Sequence, residues 1–281
     1  MKYSVLMTVF NREPELLLST IRSLSRCDLT DCEIIMVNDG STMNYEWVRA
    51  AMAARLKETA YTWIDAPKYD ACRITDGFNN PSRAFNLALD AAKGENVVIM
   101  SSDVLVNPRV FERIRRFDLS EMAWTPMVID TESSAQYCGP MRLFPAPWCL
   151  AASRQICLDI GGWDETYLKG MCYEDNDFIG RLMLKTGRFI GDWTTIAYHQ
   201  THEQPAYNMS IEEIKTANEI NREYTKTKWS GIPFHPEYVP FDVLRKPHKS
   251  GDIVHECRYE GNLLADTIAA TRGLIADQVK A

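Results

Sequence analysis

Three polar clusters stand where a ligand could bind, each directly after a short apolar run: residues 8–12, 38–41 and 101–103. If the runs are parallel strands, the clusters meet beyond the carboxyl ends of the strands, where open α/β sheets bind ligands. The carboxylate of Asp39 is an acceptor-only group that could bind a base or a ribose. Asn-Asp-Gly-Ser is equally a turn sequence, since Gly and Asn or Asp permit positive φ. On these residues alone, both interpretations stand.

Motifs of other nucleotide-binding enzymes are missing. No G-x-G-x-x-G follows the first apolar run, and no G-x-x-x-x-G-K-[ST] occurs anywhere. The sequence therefore argues against a dinucleotide dehydrogenase and a P-loop NTPase. Residues 8–11, Thr-Val-Phe-Asn, also replace the Gly-rich loop that a sugar-phosphate nucleotidyltransferase needs after its first strand.

The composition is that of a globular protein: 46% of the 281 residues are apolar and 25% are charged. This length suits one large domain or two small ones. The net charge of −7 provides no overall positive field for nucleic acid. The sequence has no apolar run of about 18 residues, no secretory signal pattern and no C-x-x-C pair among its eight cysteines. These features predict a cytoplasmic protein without a membrane span.

Apolar runs and helical periodicity alternate in the first hundred residues, which predicts an α/β fold with a parallel sheet covered on both faces. The predicted strands are 3–10, 33–37, 60–64 and 96–100, and the predicted helices are 15–24, 47–56 and 82–92.

Beyond residue 101 the pattern becomes irregular and rich in Pro, Gly and aromatic residues. A helix is predicted over 175–185 and a strand over 188–193. Ser210 and Glu213 form a capping-box pattern that opens a helix over 210–226. Residues 228–258 read as a polar, Pro-punctuated stretch. A last helix over 260–279 could pair with a second copy of the chain through Leu264, Ile268 and Ile275.

An ordered set of sequence blocks resembles the family 2 glycosyltransferases. The blocks are Val5–Arg12, Glu33–Thr42, Pro81–Asn86, Ala91–Glu95, Val97–Asp103, Gly161–Glu165 and Tyr173–Phe178. Members of that family have the GT-A fold, with a mostly parallel nucleotide-binding sheet flanked by helices, and transfer a sugar from a nucleotide diphosphate sugar.

The resemblance covers about residues 3–200 and implies a division of the chain. Residues 1–205 would be the GT-A catalytic domain, with a nucleotide-sugar half (1–103) and an irregular acceptor half (104–205). Residues 206–281 would form a mainly helical C-terminal extension.

The resemblance also implies a donor site and a metal. Asp103 matches the last acid of the D-x-D element, which binds a divalent cation, and Ser101 replaces the first acid. Mg²⁺ or Mn²⁺ would stabilise the charge of the diphosphate leaving group. The residues matched to donor binding are Thr8, Asn11, Arg12, Asp39, Asp65, Arg83, Asn86, Ser102 and Asp103.

His199 follows a late strand, where some GT-A enzymes place a histidine on the metal. With Asp103 it would form a mixed nitrogen and oxygen site that suits Mn²⁺ better than Ca²⁺. A structural histidine is an equally good interpretation of the residue alone. His202, three positions later, is an alternative ligand.

Glu174 and Asp175 match the family's Glu-Asp pair at the start of a helix, where the dipole favours ionised carboxylates. In inverting enzymes one such carboxylate removes the proton of the acceptor hydroxyl, and Asp175 is the predicted base. N-terminal capping is the structural alternative. Trp163 and Asp177 are predicted to bind the acceptor, although aromatic residues here are more often core.

Together these features predict a metal-assisted, inverting transfer, with a UDP-sugar favoured as donor and an unidentified acceptor. Two alternatives stay open. Ser101-x-Asp103 with a histidine also resembles some retaining GT-A enzymes, and the loss of an acid at Ser101 would suit a non-catalytic protein that binds nucleotide sugars.

Overall fold

The computed structural model describes residues 1–67, 73–75, 78–139, 147–202, 209–230, 242–247 and 253–258. The helices are α1 Pro14–Leu24, α2 Glu46–Arg55, α3 Ser82–Ala91, α4 Pro108–Ile114, α5 Arg154–Asp159, α6 Glu174–Thr186 and α7 Ile211–Lys228, with a 3-10 helix at Glu165–Lys169. The strands are β1 Tyr3–Val9, β2 Cys32–Asn38, β3 Ala60–Asp65, β4 Arg73–Thr75, β5 Phe78–Asn79, β6 Asn96–Met100, β7 Val104–Leu105, β8 Ala123–Asp130, β9 Gln136–Cys138, β10 Cys149–Ser153, β11 Arg188–His199, β12 Asp242–Pro247 and β13 Ile253–Arg258.

Most strands belong to one sheet, in the order β12-β13-β11-β8-β10-β6-β1-β2-β3, with β7 paired to β11 and β9 to β8. Strands β4 and β5 form a separate two-stranded sheet. The N-terminal strands β6, β1, β2 and β3 run parallel to one another, which confirms the α/β prediction. In the second half β10 runs antiparallel between β6 and β8, whereas β11 is parallel to β8. The sheet is therefore parallel in its N-terminal half and mixed in its second half.

Strand β1 shows why both faces of the sheet are covered. Because successive side chains of a strand point to opposite faces, Val5 and Met7 join one hydrophobic core and Leu6 joins the other. Helix α1 packs on the first face and α3 on the second, each through an apolar stripe. The continuous apolar run of β1 is thus what a strand buried on both faces requires.

The C-terminal part of the chain differs from its prediction. Helix α7 begins at the predicted capping box, with the side chains of Ser210 and Glu213 bonded reciprocally. Strands β12 and β13, however, form an antiparallel pair on the edge of the sheet next to β11, where a loop-like polar stretch was expected. An edge strand can carry polar residues, and Pro247 stands at the end of β12, where a missing donor is tolerated.

The predicted helix over 260–279 lies outside the described residues, and so do its proposed pairing positions. Among the residues that the structure describes, no helix is long and apolar enough to cross a membrane.

A three-ring stack joins the two halves of the fold. The indole of Trp163 lies with its ring centroid 4.6 Å from that of Phe85 on α3 and 3.8 Å from that of Phe178 on α6. Trp163 is 1% exposed, so its ring belongs to the core between helices α3 and α6.

Replacing Trp163 with Ala should lower the free energy of unfolding by about 3–5 kcal/mol, because the cavity left in the stack cannot collapse completely. Denaturant unfolding followed by circular dichroism measures this loss. Trp47→Ala is the matched control: Trp47 is 43% exposed, and its replacement should change stability by no more than about 0.5 kcal/mol. Equal losses in both variants would contradict the core assignment of Trp163.

Candidate active site

The carboxyl ends of β1, β2 and β3 form one edge of the site. Val9 is paired with Asn38, and Asn38 with Asp65, so the polar residues that follow these strands lie side by side. Asn11, at φ 45°, ties the first two loops together. Its backbone N–H donates to Ser41 Oγ at 2.9 Å, and its side-chain Oδ1 accepts from the backbone N–H of Thr42 at 2.8 Å.

A cavity of about 280 Å³ opens beside this edge. It combines side chains from the loops after β1 and β6, from the start of α6 and from the end of β11. Its lining residues are Thr8, Phe10, Arg12, Asn79, Pro81, Phe85, Ser101, Ser102, Asp103, Pro147, Trp148, Cys172, Glu174, Asp175, His199 and His202.

Asp103 lies at the centre of a buried polar cluster. Its Oδ1 accepts a hydrogen bond from Ser101 Oγ at 2.6 Å. Its Oδ2 lies 3.0 Å from His202 Nε2, 3.8 Å from His199 Nε2 and 2.8 Å from Arg12 Nη2. Burial alone would raise the pKa of Asp103, but the His202 hydrogen bond and the nearby charge of Arg12 outweigh it and hold that pKa well below its usual range.

The ring of His199 is fixed from behind by Asp130, a residue that the sequence analysis did not single out. His199 Nδ1 lies 3.3 Å from Asp130 Oδ2, and the two residues are paired in register on β11 and β8. Asp130 Oδ1 accepts from the Ser133 backbone N–H and from Thr201 Oγ1, both at 2.8 Å. Such a carboxylate sets the tautomer of a histidine and leaves its other nitrogen available as a ligand.

These residues fit a divalent cation. Ligand atoms of Asp103, His199 and His202 all lie within 4.8 Å of one another, and one carboxylate with two imidazoles suits Mn²⁺ better than Ca²⁺. The structure thus brings together both histidines that the sequence offered as alternatives, and Asp103 with them.

Glu174 and Asp175 begin α6 on the other side of the cavity. The two preceding residues, Cys172 and Tyr173, have φ values of 61° and 72°, a left-handed conformation that non-glycine residues rarely adopt. Asn80 Nδ2 donates to Glu174 Oε2 at 2.9 Å. Oδ1 of Asp175 is buried and has no hydrogen-bond partner among the described residues.

Burial raises the pKa of both acids, and for Glu174 the neighbouring charge of Asp175 adds to the shift. The sequence predicted that the helix N-terminus would keep them ionised. Burial acts against that effect and moves the pKa values of both acids upward.

The predicted acceptor residues do not reach the cavity. Trp163 is stacked in the core, and Asp177 is fully buried. The carboxylate of Asp177 binds Arg181 at 2.7 Å and Lys228 at 2.9 Å, and it accepts from Trp229 Nε1 at 3.0 Å. The acceptor role predicted for both residues is therefore corrected to a packing role.

Asn86 and Arg83 of α3 are also placed away from the cavity. Asn86 Nδ2 donates to the carbonyl oxygen of Trp163 at 2.9 Å, so it holds the loop before the 3-10 helix. Arg83 Nη1 donates to the carbonyl oxygen of Pro67 at 3.3 Å. The structure does not support direct donor contacts for either residue in this conformation.

Asp39 and Asp65 stay at the strand edge without lining the cavity. Asp39 is 6% exposed and accepts a hydrogen bond from Asn79 Nδ2, and Asn79 does line the cavity. Asp65 is exposed and accepts from Asn38 Nδ2 at 3.0 Å and from Trp63 Nε1 at 2.8 Å. The remaining donor candidates, Thr8, Arg12, Ser102 and Asp103, line the cavity, and Asn11 shapes its edge.

The sequence and the fold were compared with those of known proteins. Residues 4–121 match the sequence model of Glycosyl transferase family 2, whereas no curated protein is a detectable sequence relative. The fold is similar to that of TarS from S. aureus, with 17% identity, a TM-score of 0.57, and coverage of 82% of this chain and 44% of TarS. This chain therefore spans less than half the length of TarS.

Two further structures extend the likeness. The mannosyltransferase PcManGT from Pyrobaculum calidifontis, in complex with GDP-Man and Mn²⁺, is 16% identical with a TM-score of 0.55, over 70% of this chain and 56% of that one. GalNAc-T7, with UDP, GalNAc and Mn²⁺, is 13% identical with a TM-score of 0.54, over 83% of this chain and 52% of that one. The chain thus has the GT-A fold, and its residues 4–121 match the sequence model of Glycosyl transferase family 2.

Proposed function

We propose that this protein transfers a sugar from a nucleotide diphosphate sugar, preferably a UDP-sugar, to an acceptor hydroxyl, with inversion and with help from Mn²⁺ or Mg²⁺. The observation that carries the proposal is the cavity itself. On one side it presents a cation ligand set, and on the other a desolvated acid pair. A diphosphate leaving group needs a cation to stabilise its charge, and an acceptor hydroxyl needs a carboxylate to take its proton.

Asp103, His199 and His202 would hold the cation. A bound divalent ion would stabilise the negative charge that develops on the departing diphosphate. Ser101 donates its hydroxyl hydrogen to the other oxygen of Asp103, which keeps Oδ2 turned towards the histidines. Ser101 thus supports the carboxylate in place of the acid that the family has there.

Asp175 would act as the general base. As the acceptor oxygen forms its bond to the anomeric carbon, the bond from that carbon to the diphosphate oxygen breaks, and the hydroxyl proton passes to Asp175. Its unpaired, buried Oδ1 is available to accept that proton. Glu174, held by Asn80, would fix the orientation of the pair.

The preference for UDP is supported by the similar folds of TarS in complex with UDP-GlcNAc and of GalNAc-T7 with UDP. PcManGT was seen with GDP-Man, so GDP is the competitor to test.

Calorimetric titration with UDP and GDP, each with and without Mn²⁺, tests the donor site. We expect UDP to bind with Mn²⁺ and to lose the metal-dependent part of its affinity in Asp103→Asn, because the neutral amide is a poor ligand for a hard cation. If GDP binds and UDP does not, the assigned nucleotide changes from UDP to GDP. Failure of both to bind under all conditions would contradict the proposal.

Asp175→Asn should lower kcat by about 10²–10⁴-fold while UDP binding is retained, as expected for the loss of a general base. Because the pKa of Asp175 is raised, its active ionised form is lost as pH falls through that raised value. The acidic limb of the kcat profile should therefore lie above the ordinary aspartate pKa of about 3.9.

The same raised pKa links Asp175 to stability. A carboxyl that binds its proton more tightly in the folded state stabilises the fold at low pH, and this contribution disappears as pH rises through the raised pKa. Asp175→Asn should therefore be more stable than wild type above that pH. Asp90→Asn, at an exposed position on α3, is the control that should change neither kcat nor the pH profile. Full activity of Asp175→Asn would refute the assignment of the base.

Asp130→Asn should weaken Mn²⁺ binding in the presence of UDP by roughly 10–100-fold, the usual cost of losing a carboxylate that orients a metal-bound histidine. Calorimetry with Mn²⁺ measures it directly. Asp118 also accepts hydrogen bonds from a serine two residues on, but no histidine within the described part of the chain bonds to it. Asp118→Asn is therefore the matched control, and its Mn²⁺ affinity should equal that of wild type. Equal Mn²⁺ affinities in Asp118→Asn and Asp130→Asn would contradict the role of Asp130.

A further inference from the structure

The guanidinium of Arg12 lies among the atoms that a cation would use. Arg12 Nη2 is 2.8 Å from Asp103 Oδ2, the oxygen that faces both histidines. Arg12 Nη1 is 2.7 Å from Nδ1 and 2.6 Å from Nε2 of His202. Two of the three prospective ligands are thus already in contact with a positive group of the chain itself.

Arg12 and a divalent cation cannot share these ligands. A histidine nitrogen binds a metal through the same lone pair with which it accepts a hydrogen bond. Asp103 Oδ2 can likewise serve a metal fully only if Nη2 moves away, because two positive charges a few ångströms apart repel strongly at a buried site. Metal binding therefore requires the Arg12 side chain to leave.

The side chain can leave while its backbone stays in place. The carbonyl oxygen of Arg12 accepts a hydrogen bond from Tyr45 Oη at 2.7 Å, and the adjacent Asn11 is tied to Ser41 and Thr42. The Arg12 side chain, in contrast, is 18% exposed, and its buried Nε has no acceptor among the described residues. The Nε–H group of Arg12 is therefore a hydrogen-bond donor without an acceptor, and it lies on a long side chain that can change its rotamer.

A diphosphate would give Arg12 a better partner than the one it has. Its planar fork matches two oxygens of a phosphate group, and Arg12 lines the same cavity as the proposed cation ligands. A donor entering this cavity brings phosphate oxygens within reach of the guanidinium and adds ligands for the cation at the same time.

We propose that Arg12 is a donor-responsive positioning residue. Without the donor it fills the cation site, and with the donor it turns to the diphosphate and releases Asp103 and His202 to the metal. This inference rests on the proposed function, since it needs a nucleotide diphosphate and a divalent cation in the cavity. Metal and donor then bind cooperatively, and by linkage each raises the affinity of the other by the same factor.

Calorimetric titrations of Mn²⁺ into protein without nucleotide, and with saturating UDP, test the proposal on wild type, Arg12→Gln and Arg12→Lys. In wild type, UDP should raise the Mn²⁺ affinity by roughly 5–150-fold, the usual range of coupling. Arg12→Gln should bind Mn²⁺ alone at least about fivefold more tightly than wild type, should bind UDP alone more weakly, and should show a smaller UDP effect. Arg12→Lys keeps the charge but loses the fork, and it should also bind Mn²⁺ alone more tightly.

Arg109→Gln removes the same charge from an exposed position and should behave as wild type. Circular dichroism confirms that each variant is folded. If Arg12→Gln and wild type bind Mn²⁺ equally well without nucleotide, the inference is overturned while the donor site stands. Arg12→Gln could also bind Mn²⁺ more tightly while Arg12→Lys binds it only as well as wild type. That result would show that the positive charge of Arg12, and not its occupation of the cation site, weakens Mn²⁺ binding, and it would also overturn the inference. Absence of Mn²⁺ binding in every protein, with and without UDP, would overturn the metal site and the inference together.

Discussion

The cavity depends on one buried carboxylate. Asp103 is 1% exposed, and an ionised group at such a position is costly unless charges and hydrogen bonds compensate for the lost water. Its partners come from the loop after β1 and from the segment after β11, 91 and 99 positions away in sequence. They meet there because β1 and β6 are neighbours and because the end of β11 pairs with β7. The topology of the sheet is thus also the means by which Asp103 stays ionised.

The acid pair on α6 lacks the charged partners that keep Asp103 ionised. Glu174 is buried and Asp175 is partly buried, with its Oδ1 atom inaccessible. No cationic partner of either acid appears among the described residues, and their pKa values rise where that of Asp103 falls. Carboxyl groups in one cavity are thereby divided into an acid that is always ionised and a pair that titrates closer to neutrality. Such a division is the usual basis for separate charge-stabilising and proton-transfer roles. The strained backbone at Cys172 and Tyr173 is of the kind that surrounding packing must maintain.

Much of this could be predicted from local sequence, and the remainder could not for identifiable reasons. Buried strands leave continuous apolar runs, so β1, β2 and β6 were predictable. The clustering of Asp103 with His199 was implied by the resemblance to the family 2 glycosyltransferases, since the residue types alone left a structural histidine equally possible. Asp130 gave no signal, because its role depends on a register between β8 and β11 that no local pattern encodes.

The errors have a common physical origin. Trp163 and Asp177 carry side chains that suit a sugar-binding surface, but burial rather than residue type decided their roles. The carboxylate of Asp177 forms ion pairs with Arg181, one helical turn away, and with Lys228 at the end of α7. The strands β12 and β13 were missed because edge pairing tolerates a polar sequence.

Helix α6, which carries the proposed base, depends on α7, which lies well beyond the residues that match the family model. Lys228 Nζ lies 2.6 Å from Asp164 and 2.9 Å from Asp177, and Trp229 donates to the same oxygen of Asp177. Asp177 belongs to the first turn of α6, two residues after the proposed base. Without α7 the fully buried carboxylate of Asp177 would keep only Arg181 among the partners that the structure describes, and the first turn of α6 would lose the Lys228 bridge to Asp164 at the start of the 3-10 helix. The strand edge at β1, β2 and β3 is therefore formed by the first half of the chain, whereas the start of α6, which carries the proposed base, is held in place by α7 and the residue that follows it.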